Sequence, residues 1–152
     1  QLWQRGIALY YVGRYLDCRE MFEAHRTVNP NDVENAAWHF LCVARQESLA
    51  AARAALLPVG PDSRLPMTEI YQMFRNELSP DGVMEIAQRA PSRARERALF
   101  YAHLYIGLYY EAIGSDAMAR EHLVSAADNA YASVGGYMQT VARVHVDQLN
   151  GQ

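Results

Sequence analysis

Apolar residues along this chain recur at intervals of three and four, and no stretch alternates apolar and polar residues over any length. Because an α-helix has about 3.6 residues per turn, this spacing predicts helices that each bury one face. The predicted helices span 2–12, 16–28, 33–45, 49–57, 66–78, about 80–90, 92 or 93–113, 116–128 and about 137–149. The pattern therefore predicts an all-α protein.

Residues that start helices fall where this pattern requires them. Asp32 and Ser48 precede predicted helices, and a short side-chain oxygen at such a position can accept a hydrogen bond from an unpaired first-turn amide. Ser79 is followed by Pro80, which suits the first helical position because the amide it lacks would be unpaired there in any case. We expect all three helices to be capped by these residues.

The turns between paired helices are evenly spaced. Gly13 and Glu47 lie 34 residues apart, and the next turns, near Pro80 and at Gly114, follow at intervals of about 33 and about 34. A constant period of this length is typical of helical repeat proteins. One hairpin cannot bury its apolar faces alone, whereas stacked hairpins share a continuous core.

Two of the four units carry residues that resemble the tetratricopeptide repeat family. The matching small, turn and helix-ending positions are Gly6, Ala8, Gly13, Tyr15, Phe22 and Pro30 in the first unit and Gly107, Gly114, Ala119, Leu123 and Ala126 in the fourth. In each of these units the first glycine lies seven residues before the turn glycine. Small residues there let two helices approach closely, and a turn glycine accepts a positive φ.

This resemblance implies a right-handed superhelical array of about four helical hairpins with a C-terminal capping helix. It implies one domain over residues 1–152, with repeats at about 2–31, 32–60, 65–91 and 93–131 and the capping helix at about 136–149. The second and third units lack the turn glycine, so there the period and the helix pattern carry the assignment. Cys18 stands where the family usually has alanine, and Tyr131 stands where a closing proline is expected.

A narrower resemblance is carried by longer strings of the sequence. These are WHFLCVARQESLAAARAALLPVG, MTEIYQMFR, LFYAHLYIGLYYEAIG and GYMQTVARVH. They are similar to a group of small repeat proteins from bacteria and from plant and algal plastids, so the resemblance suggests a bacterial or plastid setting. Since the chain begins at Gln1 inside a helical pattern, we interpret it as part of a longer precursor.

Composition narrows the classes of partner. The net charge is −3, so there is no overall electrostatic footprint for nucleic acid or an anionic membrane. No apolar run approaches the roughly 18 residues of a membrane-spanning helix, and the composition is typical of a soluble globular domain. All 14 basic residues are arginine, which excludes lysine-based chemistry. Cys18 and Cys42 lie in predicted helices, and we interpret them as small buried hydrophobic residues.

The family resemblance implies that the first helix of each pair lines a concave groove for a peptide or a partner helix. Distances from the turns give seven of the nine groove candidates, Trp3, Trp38, Leu41, Tyr71, Phe74, Tyr105 and Leu108. The other two, Arg45 and Arg75, are candidate polar anchors. Such a groove favours an apolar segment, because aromatic anchors provide large contact areas at low entropic cost. The lysine and asparagine clamp for a C-terminal carboxylate has no counterpart here. Aromatic residues at helical spacing are also typical of a core, and arginines of this kind often only pair with surface acids.

No catalytic or cofactor motif accompanies the repeats. The sequence has no HExxH, CxxC, GxSxG or glycine-rich phosphate loop, and neighbouring acid and histidine pairs diverge on their helices. We therefore expect a non-catalytic scaffold or assembly factor with no cofactor and no metal, binding another protein. The alternatives are self-association through the last helix, with apolar residues Tyr137, Met138, Val141, Val144 and Val146, and, less favoured, a metal-dependent enzyme or hydrolase.

Overall fold

The computed structural model describes residues 2–152, which form helices and no strand. The α-helices are α1 Leu2–Tyr11, α2 Tyr15–Arg26, α3 Val33–Gln46, α4 Leu49–Ala54, α5 Met67–Phe74, α6 Pro80–Gln88, α7 Ser92–Ala112, α8 Asp116–Ala126 and α9 Ala132–Asn150. A short 3₁₀ turn at Asn129–Tyr131 precedes α9. The prediction of an all-α protein is confirmed.

The predicted caps are present. The Asp32 carboxylate accepts from the Glu34 amide at the start of α3, and the Ser48 hydroxyl accepts from the Ala51 amide at the start of α4. Ser79 caps α6 in the same way, with Pro80 as the first helical residue. Each cap satisfies one of the first-turn amides that a helix leaves unpaired, which fixes where these helices begin.

The glycines of the first and fourth helix pairs have the two roles expected of them. Gly13 and Gly114 adopt φ values of 78° and 86°, in the left-handed region that favours glycine. A Cβ on Gly6 would lie 2.7 Å from the Phe22 ring, and one on Gly107 would lie 2.6 Å from Leu123 Cγ. The close packing of α1 on α2 and of α7 on α8 therefore depends on the missing side chains.

Replacing Gly107 with alanine is expected to lower the free energy of unfolding by about 1–3 kcal/mol, because the added methyl group overpacks the α7–α8 contact. Its Cβ would also lie 3.1 Å from the Leu123 backbone nitrogen, which cannot rotate away. Urea unfolding measures the difference. Gly151→Ala is the control, since its Cβ would make only ordinary contacts, and an equal loss in both variants would contradict this account.

Helices in the middle of the chain are shorter than predicted. α4 ends at Ala54 and α5 at Phe74, whereas the sequence pattern extends to 57 and 78. Asn76 adopts a positive φ of 62° just after α5, which ends the helix before the predicted residue. The last helix is longer than predicted: it begins at Ala132 and is interrupted at Gly136, whose φ is 53°.

The helices that begin each pair pack on one another through the middle of the molecule. α3 contacts α1, α5 and α7, and α7 also contacts α9. The first and last helices meet as well: Trp3 packs edge-to-face on Tyr137, with ring centroids 5.0 Å apart, and the Tyr11 hydroxyl is hydrogen-bonded to His145. The inner faces of these helices are therefore largely occupied by each other.

The two cysteines are buried, as predicted, but they are also paired. Cys18 of α2 and Cys42 of α3 form a disulfide, and their Cα atoms are 6.0 Å apart, within the usual range. Interpreting them as unpaired hydrophobic residues was wrong. The sequence gives no sign of the pairing, because it depends on how α2 packs against α3.

Among residues 2–152 no helix combines the length and the apolar character needed to cross a bilayer.

Candidate functional site

Most of the nine groove candidates lie in the core. The side chains of Trp38, Leu41, Phe74, Tyr105 and Leu108 are at most 2% exposed, whereas Trp3 and Tyr71 are partly buried and Arg45 and Arg75 are exposed. Phe74 packs on Phe40 and Tyr109 rather than facing a groove. Binding of a partner by these nine residues stays a prediction, but the buried ones other than Trp38, which borders a cavity, could meet one only if the helices separated.

Trp3 and Trp38 line one cavity of about 220 Å³ between α1, α2, α3 and α9. The full set of lining residues is Trp3, Ile7, Phe22, Asp32, Glu34, Asn35, Trp38 and Met138. Trp3 lies at its edge, where it contacts Tyr137 of α9. The walls are largely apolar, and the polar groups converge on one side, which is the usual composition of a ligand site.

The first two turns of α3 supply those polar groups. Glu34 and Trp38 are four residues apart and so share a face, and Asn35 lies beside them. The amide nitrogen Nδ2 of Asn35 donates to the Phe22 carbonyl at 3.2 Å, which fixes the side chain and leaves Oδ1 buried without a partner in the described structure. Trp38 Nε1 lies beside the Tyr105 hydroxyl but makes no hydrogen bond of normal geometry.

An arginine holds three carboxylates on the polar side of the cavity. Arg64 lies 2.7 Å from Glu34, 3.0 Å from Asp32 and 2.8 Å from Asp62, measured between nitrogen and oxygen. Its guanidinium also stacks over the Tyr101 ring, with a distance of 5.6 Å to the centroid. Through these contacts the segment between α4 and α5 is anchored to the start of α3.

The carboxylates in this cluster differ in acidity. Burial raises the pKa of the Glu34 carboxyl, and the charge of Arg64 only partly offsets that rise. Burial would also raise the pKa of Asp62, but hydrogen bonds from Arg64 and from the Val33 amide outweigh it, so the Asp62 pKa is lowered. The Tyr105 hydroxyl donates to Glu34, and burial followed by the Glu34 charge raises the Tyr105 pKa.

A second cluster of polar side chains joins α1, α7 and α9. The Tyr11 hydroxyl donates to His145 Nδ1 at 2.8 Å, and His145 Nε2 donates to Glu111 at 2.9 Å, as expected for the tautomer protonated on Nε2. Arg45 lies in the cleft beside these residues, with its guanidinium 5.2 Å from the centre of the Tyr15 ring.

A hydroxyl, an imidazole and a carboxylate in a row is the arrangement of nucleophilic catalysis. Burial, with smaller contributions from Tyr10 and Glu111, raises the pKa of Tyr11 rather than lowering it, so its hydroxyl stays protonated. The observed role of the cluster is to tie the first and last helices to α7. Sequence reasoning missed it because Tyr11 and His145 are 134 residues apart.

The remaining predicted residues are not brought to the cavity. Tyr71 and Arg75 line a shallow surface near Pro58, where the Tyr71 hydroxyl donates to the Leu57 carbonyl and Arg75 pairs with Glu77. On α9, Met138 and Val141 are buried, whereas Tyr137 and Val144 remain exposed. Self-association through that exposed side stays a prediction.

Histidines meet at one other place. His103 Nδ1 lies 3.1 Å from His122 Nδ1, and burial, reinforced by His122, lowers the His103 pKa to about 4. Within the described part of the chain, no three side chains of the metal-ligating types are grouped. This pair is therefore interpreted as packing between α7 and α8.

Comparisons of this chain with protein-family models, with curated proteins and with solved structures give no match. The site must therefore be interpreted from its own residues. Sequence reasoning found Trp3 and Trp38 but missed Glu34 and Asn35, which precede Trp38 by one helical turn. Glu34 and Asn35 form a polar pair one turn before Trp38, and this pattern in the sequence could have indicated the polar side of the cavity.

Proposed function

We propose that this protein is a non-catalytic interaction module, a tetratricopeptide-like array that binds a segment of another protein by taking one of its apolar side chains into the cavity of Trp3 and Trp38. The observation that carries this proposal is the cavity itself. Its walls include Trp3, Ile7, Phe22 and Met138, and it lies where the first, second, third and last helices meet. A partner segment crossing α1 and α9 would anchor there.

The volume of the cavity supports one anchor rather than a long embedded helix. An engineered apolar cavity of about 150 Å³ binds benzene, and sites for drug-sized ligands begin at about 300 Å³. At about 220 Å³, this cavity lies between those limits and suits a single large side chain. Buried aromatic anchors of this kind supply much of the affinity at interfaces.

Filling the cavity is expected to weaken binding. In the variant Met138→Phe, the phenylalanine ring is expected to occupy part of the cavity, because Met138 lines the cavity and is mostly buried. Peptides selected from a random dodecapeptide library on the native protein should share one large apolar residue, and we expect them to bind Met138→Phe at least about tenfold more weakly, a difference of about 1.4 kcal/mol. Fluorescence anisotropy of labelled peptides measures this.

Met118→Phe is the matched control, because Met118 is an exposed methionine on α8 and the substitution is the same. It should leave peptide binding unchanged. Selection of no peptide, or equal binding to Met138→Phe and Met118→Phe, would count against the proposal. Circular dichroism of both variants checks that each is folded.

A further inference from the structure

We infer that the disulfide between Cys18 and Cys42 fixes the shape of the cavity, so that the oxidised chain binds the partner side chain and the reduced chain binds it at least about tenfold more weakly. The inference rests on the proposed function and adds the condition under which the cavity can bind. The chain has two cysteines, and the structure pairs them with each other. Neither remains a free thiol.

The disulfide lies one helical turn from two walls of the cavity. On α2, Phe22 follows Cys18 by four residues and therefore shares its face. On α3, Trp38 precedes Cys42 by four residues in the same way. The two helices run antiparallel, since Cys18 meets Cys42 while the Phe22 carbonyl meets Asn35 farther along. The bond therefore sets the distance between the α2 wall and the α3 wall of the cavity.

Reduction of the disulfide should move these two walls apart. A covalent bond brings two sulfur atoms closer together than any non-bonded contact allows, so two thiols need more room. Both cysteine residues are 0% exposed, and neither thiol has solvent to turn into. Because protein interiors are closely packed, the extra room comes from a shift of α2 against α3, which is carried to the next helical turn.

Phe22 extends the effect of this shift to α1. Its ring lies so close to Gly6 that a Cβ on the glycine would be 2.7 Å away. α1 also contributes Trp3 and Ile7 to the cavity, so a displaced Phe22 ring changes the position of that wall as well. One covalent bond thus controls the spacing of three of the four helices around the cavity.

The other side-chain contacts between α2 and α3 are non-covalent. His39 Nε2 lies 3.0 Å from the Glu23 carboxylate, and the ion pair of Arg19 with Glu47, at 3.2 Å, is partly exposed and contributes little. Together with the apolar core, these contacts should keep α2 on α3 after reduction. They allow the small shift that a disulfide prevents, so we expect a folded chain with a less well-formed cavity.

Formation of the bond removes two electrons and two protons from the two thiols. The thiolate of one cysteine attacks a donor disulfide and releases one donor thiol, and the other cysteine then attacks the mixed disulfide and releases the second donor thiol. Disulfides form and persist in oxidising compartments and are rare in the cytosol. The chain that binds its partner therefore belongs to an oxidising compartment.

Oxidised and reduced forms of the same chain test this inference. One sample is refolded with glutathione disulfide, and the other is refolded in a phosphine reductant, because the bond is buried in the folded protein. Alkylation under denaturing conditions should modify no cysteine in the first sample and two in the second, as measured by mass spectrometry. We expect the library peptides to bind the reduced form at least about tenfold more weakly by fluorescence anisotropy, with both forms folded by circular dichroism.

The double variant Cys18→Ala with Cys42→Val is the second comparison, because it replaces the bond with two apolar side chains. It should bind the peptides as weakly as the reduced chain, and the phosphine should not change its affinity. If either the reduced chain or the double variant is folded and binds as tightly as the oxidised chain, the inference is wrong. Two alkylated cysteines in the sample refolded with glutathione disulfide would also overturn it.

The side-chain N–H signal of Trp3 separates this inference from the proposed function. Trp3 lines the cavity from α1, which carries neither cysteine. In ¹⁵N-labelled protein without peptide, its signal should differ between the oxidised and reduced forms. If the library yields no peptide, the proposed function fails and this signal still tests the link between disulfide and cavity. An unchanged Trp3 signal would then overturn the inference.

Discussion

Replacing Trp38 with alanine is expected to lower the free energy of unfolding by about 3–5 kcal/mol. The Trp38 side chain is 1% exposed and packs edge-to-face on Tyr10, with ring centroids 5.5 Å apart. Truncation removes this contact and enlarges the adjoining cavity at the same time. Urea unfolding followed by circular dichroism measures the loss, since the signal does not depend on tryptophan.

The same variant distinguishes a core residue from a groove residue. An aromatic side chain on an exposed groove could be truncated at a cost of about 0.5 kcal/mol, with loss of binding alone. Tyr137→Ala is the comparison, because Tyr137 is 47% exposed and its main aromatic contact is with Trp3. We expect it to cost about 1 kcal/mol or less. A comparably small cost for Trp38→Ala would contradict the placement of Trp38 in the core.

Replacing Arg64 with methionine is expected to lower the free energy of unfolding at pH 7 by about 2–3 kcal/mol. The change leaves Asp32, Glu34 and Asp62 close together without their shared cation. Removing one partner of a fully buried ion pair costs about 3–5 kcal/mol, and the expected value is smaller here because the Arg64 side chain is 37% exposed.

The effect of Arg64→Met should depend on pH. The lowered pKa of Asp62 means that its ionised form stabilises the native fold above the unfolded pKa of about 3.9, and that this contribution is lost as pH falls through the lowered value. The raised pKa of Glu34 acts in the opposite sense, so its ionised form destabilises the fold at higher pH. Arg64 stabilises the carboxylates only while they are ionised. The difference in free energy of unfolding between the native protein and Arg64→Met should therefore shrink below about pH 4, where the carboxylates become protonated.

Arg89→Met is the matched control for this substitution. Arg89 pairs with Glu85 one turn away, and both side chains are well exposed, so little change in the free energy of unfolding is expected. Thermal or urea unfolding at pH 7 and at pH 3.5 compares each of the two variants with the native protein at both pH values. If the difference in free energy of unfolding between the native protein and Arg64→Met does not change with pH, the loss of stability does not come from the carboxylate cluster.

Local features of the sequence predicted the local features of the fold. Ser48 and Ser79 cap the helices they precede, and Gly13 and Gly114 turn the chain with positive φ, because these effects depend on a few neighbouring residues. The ends of α4 and α5 were less well predicted. Apolar residues past both ends, such as Leu56 and Leu78, also pack on the core although they are not helical, so the pattern alone does not show where the helix stops.

The candidate site was predictable only in part. Trp3 and Trp38 could be selected as large aromatic residues at defined distances from the turns, but whether they face a groove or a core depends on how close the inner helices come. The burial of Tyr105 depends in the same way on the packing of α7 against α3. Asn35 could be noticed as a polar residue one turn before Trp38, but its unpaired oxygen could not be predicted, because it results from a hydrogen bond to Phe22 on another helix.

The sequence by itself determined that this protein is helical, where most helices begin, and which glycines allow paired helices to approach, because helical periodicity, caps and turn conformations are set within a few residues. Only the tertiary structure decided that Trp38, Phe74 and Tyr105 are buried, that Arg64 gathers three carboxylates, and that Cys18 meets Cys42. These contacts join residues about 24 or more positions apart or depend on the path of a loop. Their geometry arises from the packing of whole helices, which no local pattern encodes.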